Sequence, residues 1–363
     1  MTDESTFTRE DLRVSVEGGV GWLTMDRPRA MNALTLEQVR AMTGALRAWA
    51  DDDRVRLVVI EGAGDQAFCA GGDIRALYEA YKRGDLDFQY TFYREKYALN
   101  QLIYRYPKPF VAFMDGMTMG GGAGVSVHGS HRVATENLVY AMPETGVGLF
   151  PDVGHTWFLP RRPGHTGYYL GLIGARIQAA DAMDLGITTH FIPRERLPEV
   201  RQALSGVDAA DDAHAAVTWA LDLYQEVPGA GARGPLMQHQ NTIERCFARD
   251  SVEGVRDALA AEGGPFAEQT LASLAGRSPT SLKVTLKALR AGAALDFERA
   301  LMMEYRLATR FMHGHDFFEG IRALLVDRDK TPQWWPTRLE AVDESIVDAY
   351  FKPMETLPEL TFG

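Results

Sequence analysis

Cysteine is scarce in this chain of 363 residues, which contains only Cys69 and Cys246. The two lie far apart and form neither a CxxC pair nor a Cys/His cluster. This pattern argues against a disulfide framework and against a structural zinc site, and it is typical of a reducing compartment.

Long apolar runs and a surplus of basic residues are also missing. No apolar run approaches the ~20 residues needed to cross a bilayer, and the acidic, polar start "MTDESTFTREDL" has no apolar segment typical of a secretion signal. The net charge is −11, and Lys and Arg form no block. We therefore expect a soluble, cytoplasmic protein whose main partner is neither nucleic acid nor a membrane.

The first two hundred residues alternate strand-like and helical stretches. "LRVSVEGGVGWLTMDRP" predicts a hairpin around Gly18 and Gly19. Thr35 followed by Gln38 is a capping-box pattern that opens a helix. "VRLVVIEG" and "PFVAFMDG" are typical of buried strands. Together they indicate an α/β fold in which helices cover the sheet.

From about residue 205 the pattern becomes helical. "SVEGVRDALAAEG" and "LKVTLKALRAGAALDFERALMMEYRLATRFM" have helical spacing and hardly a strand-like run. Gly and Pro in "EVPGAGARGP" predict a loop near residues 226–235. We predict an α/β core over residues 1–205 and a helical region with a polar tail over residues 206–363.

Two acids stand in apolar company in "MPETGVGLFPDVG". Glu144 and Asp152 lie among Gly, Pro and apolar residues. A buried, unpaired carboxylate is costly and has a raised pKa, so such acids are held either by partners or for chemistry.

Two Gly-rich turns follow predicted strands earlier in the chain, "FCAGGDI" and "MDGMTMGGGAG". Glycine leaves backbone N–H groups unobstructed, and two such groups that converge form an oxyanion hole for an acyl oxygen. Each cluster alone is more simply a tight turn. With "MPETGVGLFPDVG", which follows the next predicted strand, there are three such segments after successive strands, and this favours a shared site at the strand ends.

Three other patterns suggest different chemistry. "VVIEGAGDQA" has the spacing of a dinucleotide fingerprint, but Gly71 and Gly72 would break the helix that must follow it. "GVSVH" resembles an incomplete nucleophile elbow, although the apolar neighbours of Ser126 favour a buried position. The histidine pairs 128/131 and 313/315 lack the spacing of a metal site, so structural roles are favoured.

Four segments together carry a resemblance to a known family: "DRPRAMNAL", "AFCAGGDI", "MDGMTMGGGAGVSVHG" and "MPETGVGLFPDVG". In order and spacing they resemble the crotonase (enoyl-CoA hydratase/isomerase) superfamily. "SPTSLKVTLKAL", "MEYRLATRFM" and "GHDFFEGIRALLVDRDKTPQW" are similar to its subgroup that hydrolyses 3-hydroxyisobutyryl-CoA, a step of valine breakdown. The resemblance implies a crotonase-like spiral core of ββα units with a C-terminal helical region.

The resemblance also implies roles for individual residues. It places the oxyanion-hole N–H groups at Gly72 and Gly121 and a catalytic glutamate at Glu144. Hydratases of the superfamily carry a second glutamate where this chain has Gly124. They carry a glycine where this chain, like the hydrolase subgroup, has Asp152. Losing one acid of the water-adding pair favours thioester hydrolysis over hydration.

Several alternatives remain open from the sequence. Glu144 could attack the thioester directly, giving a mixed anhydride, or activate a water as general base. Asp152 could bind the substrate's 3-hydroxyl or share a proton with Glu144. The rival functions are an enoyl-CoA hydratase or isomerase, a thioesterase that depends on Ser126, and a non-catalytic CoA-binding scaffold.

The acyl-CoA substrate needs further contacts. We predict Arg29 and Arg75 as contacts of the CoA phosphates or adenine, although both could be ordinary surface arginines, and we add Asp73 and Lys96 as candidate binding residues. Lys96 stands where the hydrolase subgroup commonly has an acid, so acyl specificity could differ. We expect no metal and no cofactor other than the CoA of the substrate, and an assembly of three or six copies.

Overall fold

The computed structural model describes residues 7–9, 11–207, 212–229 and 233–362. Its strands are β1 Phe7–Arg9, β2 Leu12–Glu17, β3 Val20–Met25, β4 Leu57–Gly62, β5 Ala67–Cys69, β6 Phe110–Met114, β7 Met117–Met119, β8 His131–Ala134, β9 Val139–Ala141 and β10 His190–Phe191.

The α-helices cover much of the rest. They are α1 Leu36–Ala50, α2 Ile74–Arg83, α3 Leu86–Tyr104, α4 Gly121–Gly124, α5 His155–Phe158, α6 Thr166–Ile173, α7 Ala179–Asp184, α8 Leu197–Ser205, α9 Ala213–Asp222, α10 Gln240–Phe247, α11 Val252–Glu262, α12 Gly264–Ala275, α13 Pro279–Ala294, α14 Phe297–Phe311, α15 Asp316–Ile321 and α16 Glu344–Phe351.

Seven strands form the main sheet, in the order β1-β2-β3-β4-β6-β8-β10. The first three pair antiparallel, and every pair from β3 onward is parallel. A smaller sheet has the order β5-β7-β9. Parallel strands joined through helices confirm the predicted α/β fold, because a parallel connection needs a long crossover.

Local predictions near the N-terminus are confirmed. β2 and β3 form the hairpin, and Gly18 and Gly19 both have the positive φ that a tight hairpin turn requires. Thr35 accepts a hydrogen bond from the Gln38 N–H while the Gln38 side chain accepts one from the Thr35 N–H, which is the predicted capping box.

The dinucleotide alternative is excluded by the fold. The segment after Gly64 continues into strand β5, so no helix begins there to hold a pyrophosphate.

A hydrophobic core forms where apolar side chains of β3, β4 and β6 pack against helices α8 and α9. Its buried residues include Val20, Trp22, Leu57, Val59, Val111, Phe113, Val200, Leu204 and Leu221.

The C-terminal region is helical, as predicted. Between residues 212 and 362, the part of the chain that the structure describes contains helices and no strand. Residues 230–232 of the predicted loop lie outside the described residues. The predicted polar tail contains α16, whose Val347 is buried, so the tail is not polar throughout.

Two compact units are present. The first contains the described residues up to Gly72, Ala98–Tyr140 and Ile177–Met237. The second contains Asp73–Tyr97, Ala141–Arg176 and the described residues from Gln238 onward. The division at residues 205 and 206 stays a prediction, and that boundary lies inside the first unit. Among the described residues, no helix is long and apolar enough to cross a membrane.

Candidate active site

Glu144 begins a short 3₁₀ helix, Glu144–Val147, soon after strand β9 ends. Two hydrogen bonds of its second residue, Thr145, fix this helix in place. The Thr145 hydroxyl donates to the Leu172 carbonyl at 2.9 Å, and the Thr145 carbonyl accepts from the Ser278 N–H at 3.2 Å. These bonds hold Glu144 on ordered backbone, as a reactive carboxyl group requires.

The carboxyl group of Glu144 is buried and incompletely bonded. The residue is 7% exposed, and Oε2 has no hydrogen-bond partner among the described residues. Burial, followed by the charge of Asp152, raises the pKa of Glu144 well above its ordinary range, while the charge of Lys96 opposes the rise. A carboxyl group with a raised pKa binds a proton more readily than an ordinary one, which suits a group that must take up and release a proton.

Asp152 is held by two donors. Its Oδ2 accepts a hydrogen bond of 2.8 Å from Lys96 Nζ and another of 2.8 Å from the Tyr97 hydroxyl. Asp152 and Lys96 are both buried. A buried charge needs a partner, and Lys96 provides one for Asp152. Asp152 thus differs from Glu144, whose Oε2 has no hydrogen-bond partner among the described residues.

Lys96 lies among aromatic rings. Its Nζ is 4.5 Å from the centroid of Tyr93, 5.3 Å from Tyr97 and 5.4 Å from Phe92. All four residues belong to α3, where residues four apart share a face. Electron-rich ring faces stabilise an ammonium that has left water, so α3 itself supplies the site that the buried lysine needs.

Glu304 is a third buried carboxylate beside this segment, and the sequence analysis missed it. It is fully buried on α14. Its Oε2 accepts from the Gly154 N–H at 2.7 Å, and its Oε1 accepts from the Thr156 N–H at 3.0 Å and the Thr156 hydroxyl at 2.6 Å. Burial raises the pKa of Glu304 to about 8, although these donors oppose the rise. The sequence feature that could have indicated Glu304 is the acid within the amphipathic pattern "MEYRLATRFM".

Gly72 and Gly121, the predicted oxyanion-hole residues, lie together in the first unit. A Cβ placed on Gly121 would be 3.0 Å from the Gly72 nitrogen, closer than side chains normally approach. Neither N–H donates a hydrogen bond to any described residue. Because Gly121 is the first residue of α4, its N–H has no partner inside the helix.

No acid replaces the missing hydratase glutamate on α4. Gly124 is buried, and its carbonyl accepts from the Asn100 side chain at 2.9 Å. Nearby Ser126 is also fully buried, and its hydroxyl donates to the Gly122 carbonyl at 2.9 Å. A nucleophilic serine must be exposed, so the structure does not support the nucleophile elbow.

Arg29 lines a pocket in the first unit. The pocket has a volume of about 280 Å³, and Arg29 is exposed beside Asn32, Asp65 and Gln66. An exposed guanidinium that lines a pocket is suited to a phosphate.

The other predicted contacts have partners within the protein. Asp73 caps α2 by accepting from the Ala76 N–H at 3.1 Å, and Arg75 Nη2 donates to the Leu325 carbonyl at 2.8 Å. Lys96 is engaged by Asp152. Among the described residues, no group of three or more His, Cys, Asp and Glu side chains is placed to hold a metal ion.

The family model for enoyl-CoA hydratase/isomerase matches residues 20–351 of this chain. The chain belongs to the enoyl-CoA hydratase/isomerase family. The family match and the similar solved structures confirm the crotonase fold that the sequence predicts. They leave the roles of individual residues as predictions.

Curated relatives are similar over nearly the whole chain. One from Danio rerio is 45% identical over 340 residues, 93% of this chain and 88% of the relative. One from Homo sapiens is 40% identical over 349 residues, 96% of this chain and 90% of the relative. Both are named 3-hydroxyisobutyryl-CoA hydrolase, mitochondrial.

Two solved structures are similar over almost their full length. A carnitinyl-CoA dehydratase from Mycobacterium thermoresistibile is 42% identical with a TM-score of 0.89, covering 98% of this chain and 99% of that one. An enoyl-CoA hydratase from Rhodobacter sphaeroides is 38% identical with a TM-score of 0.88, covering 97% of this chain and 100% of that one. The names of the relatives therefore span hydrolysis, hydration and dehydration.

Proposed function

We propose that this protein hydrolyses 3-hydroxyisobutyryl-CoA to 3-hydroxyisobutyrate and CoA. The names of the curated relatives support the substrate and the reaction. The observation that carries the choice of hydrolysis is the pattern of acids: Glu144 is buried with an unbonded oxygen, Asp152 is present, and position 124 is glycine. Hydration needs one group to hold water and another to deliver a proton to carbon, whereas hydrolysis needs attack at one carbonyl carbon.

Glu144 carries the proton chemistry in this proposal. As general base it removes a proton from water, whose oxygen bonds to the carbonyl carbon, and the C–S bond then breaks as the sulfur takes a proton. As nucleophile its own oxygen bonds to that carbon, CoA leaves, and water cleaves the mixed anhydride. In both routes the N–H groups of Gly72 and Gly121 stabilise the negative charge on the acyl oxygen.

Asp152 recognises the hydroxyl group of the substrate. Lys96 and Tyr97 both bind Oδ2, and Oδ1 accepts no side-chain hydrogen bond from a described residue. A carboxylate oxygen with open lone pairs is a strong acceptor for a substrate O–H. This arrangement supports the hydroxyl-binding role over a proton shared with Glu144.

The remaining partners follow from the same proposal. Arg29 contacts a phosphate of CoA, and CoA enters only as part of the substrate. An assembly of three or six copies stays a prediction that light scattering can test. A cytoplasmic location also stays a prediction, because the relatives are named mitochondrial, and cell fractionation tests it.

The reaction itself can be tested with two substrates in parallel. The purified protein is given 3-hydroxyisobutyryl-CoA and an enoyl-CoA, while free thiol and enoyl absorbance are followed. We expect thiol release from the first substrate and no loss of absorbance from the second. Loss of absorbance without free thiol would identify a hydratase, and bound CoA with no turnover of either would identify a scaffold.

A further inference from the structure

A buried carboxylate that the proposed chemistry does not use holds the segment next to Asp152. Glu304 is fully buried on α14, and among the described residues the three donors that reach it belong to Gly154 and Thr156. Three donors converging on one carboxylate form a fixed connection between α14 and the turn that contains Asp152.

The turn needs to be held because its backbone is strained. Val153 has a φ of 54°, a left-handed conformation that a β-branched residue rarely adopts. Such a conformation is unfavourable and persists only where the surroundings enforce it. Gly154 follows with a φ of 82°. The strained residue thus lies between Asp152 and the first N–H that Glu304 binds.

We propose that Glu304 is a positioning residue for thioester hydrolysis, holding the turn from Asp152 to Thr156 so that Asp152 meets Lys96 and Tyr97. The inference rests on the proposed role of Asp152 in binding substrate. Glu304 acts through backbone hydrogen bonds and makes no contact with substrate. Its partners lie two and four residues beyond Asp152, so a shift of this turn is transmitted directly to the carboxylate.

A carboxyl group is needed at this position, since an amide cannot replace it. Both carboxyl oxygens of Glu304 keep a lone pair for these donors whether or not the group carries a proton. Glutamine offers one acceptor oxygen, and its NH₂ group would face a backbone N–H donor in place of the second oxygen. Glu304→Gln therefore loses at least one hydrogen bond and creates a donor–donor contact in a buried place. The substitution changes the hydrogen bonding with little change in volume.

Steady-state kinetics with 3-hydroxyisobutyryl-CoA tests the inference with four variants. Glu304→Gln should lower kcat by about 100-fold, because a displacement of about 1 Å in a residue that positions the substrate can cost that much. Thr156→Val, which loses only the hydroxyl donor, should lower kcat by about tenfold, and Thr156→Ser should restore it. Asp181→Asn, a buried carboxylate in the first unit that binds the Leu236 N–H, is the matched control and should keep the wild-type kcat.

A second measurement separates this inference from the proposed function. The amide proton signals of Gly154 and Thr156 should move upfield in Glu304→Gln, and the signal of Asp152 should move with them. Wild-type kcat in both Glu304→Gln and Thr156→Val would overturn the inference, and so would unchanged amide signals. If the wild-type protein releases no thiol, the proposed function fails, and the amide signals alone decide whether Glu304 holds the turn.

Discussion

The ammonium of Lys96 lies 2.8 Å from Oδ2 of Asp152, and both side chains are buried. Removing one partner from a buried ion pair leaves the other charge without compensation, which costs about 3–5 kcal/mol. The aromatic rings around Lys96 cannot take the place of its ammonium as the partner of Asp152, because ring faces stabilise cations and repel a carboxylate.

Lys96→Met should therefore lower the free energy of unfolding by about 3–5 kcal/mol, measured by denaturant titration. Arg13→Met is the matched control, because it breaks the ion pair with Asp26 at the surface, where the side chains are 52% and 39% exposed. That control should change stability by no more than about 1 kcal/mol. If Lys96→Met loses no more stability than Arg13→Met, the buried ion pair contributes little to the free energy of unfolding.

The pH dependence of hydrolysis should respond to Asp152. Glu144 works as a carboxylate in both proposed routes, so kcat should rise as pH rises through its raised pKa. The charge of Asp152 is one cause of that raised pKa, and Asp152→Asn removes it. The rising limb of the profile should move to lower pH, even though the rate at the plateau falls.

The position of that limb is read from kcat measured across pH in the wild type and in Asp152→Asn. Asp181→Asn serves as the control and should leave the limb in place. A limb that stays fixed, or moves to higher pH, in Asp152→Asn would mean that the titrating group is not Glu144 beside a charged Asp152.

Stability should also depend on pH through Glu304. Its pKa rises from an ordinary 4.5 to about 8 in the folded chain. Between these values the folded chain holds a proton that the unfolded chain has released, so stability falls as pH rises, by at most about 1.4 kcal/mol per pH unit. The contribution is complete below 4.5 and lost above about 8.

Unfolding titrations from about pH 5 to pH 8 compare the wild type with Glu304→Gln. The variant should show a flatter dependence across this window, because its amide does not titrate. Parallel curves, displaced by a constant, would show that Glu304 stays ionised throughout. Ser126→Ala, which removes a buried hydrogen bond and no titrating group, indicates how far a plain loss of stability displaces the curve.

Ser126→Ala should keep full hydrolytic activity. The hydroxyl is buried and donates only to backbone carbonyls of α4, so its loss removes one hydrogen bond worth about 1 kcal/mol. Thiol-release kinetics together with a thermal unfolding curve measure both effects. If the wild type forms an acyl-serine intermediate, and Ser126→Ala loses both that intermediate and the activity, the protein is a serine thioesterase.

Much of the fold was predictable because its signals are local. The hairpin depends on Gly18 and Gly19, the capping box on Thr35 and Gln38, and the strands on short apolar runs. The compact units were not predictable in this way. They interleave along the chain, and a change of composition near residue 205 carries no information about long-range packing.

The candidate site was predictable in part for the same reason. Glu144 and Asp152 stood out as acids among apolar neighbours. The pairing of Lys96 with Asp152 joins residues far apart in sequence, so Lys96 was interpreted as a contact for substrate. Glu304 looked like one more charge on an amphipathic helix. Only the folded chain brings it to Gly154 and Thr156.

The central claim is that Glu144 drives thioester cleavage, and thiol release from 3-hydroxyisobutyryl-CoA by wild type and Glu144→Gln tests it most directly. Glutamine keeps the size of the side chain and removes its ability to accept a proton or attack a carbonyl. The account predicts rapid thiol release by the wild type and a loss of at least about 10³-fold in kcat for the variant at unchanged stability. Thiol release by Glu144→Gln at the wild-type rate would contradict it.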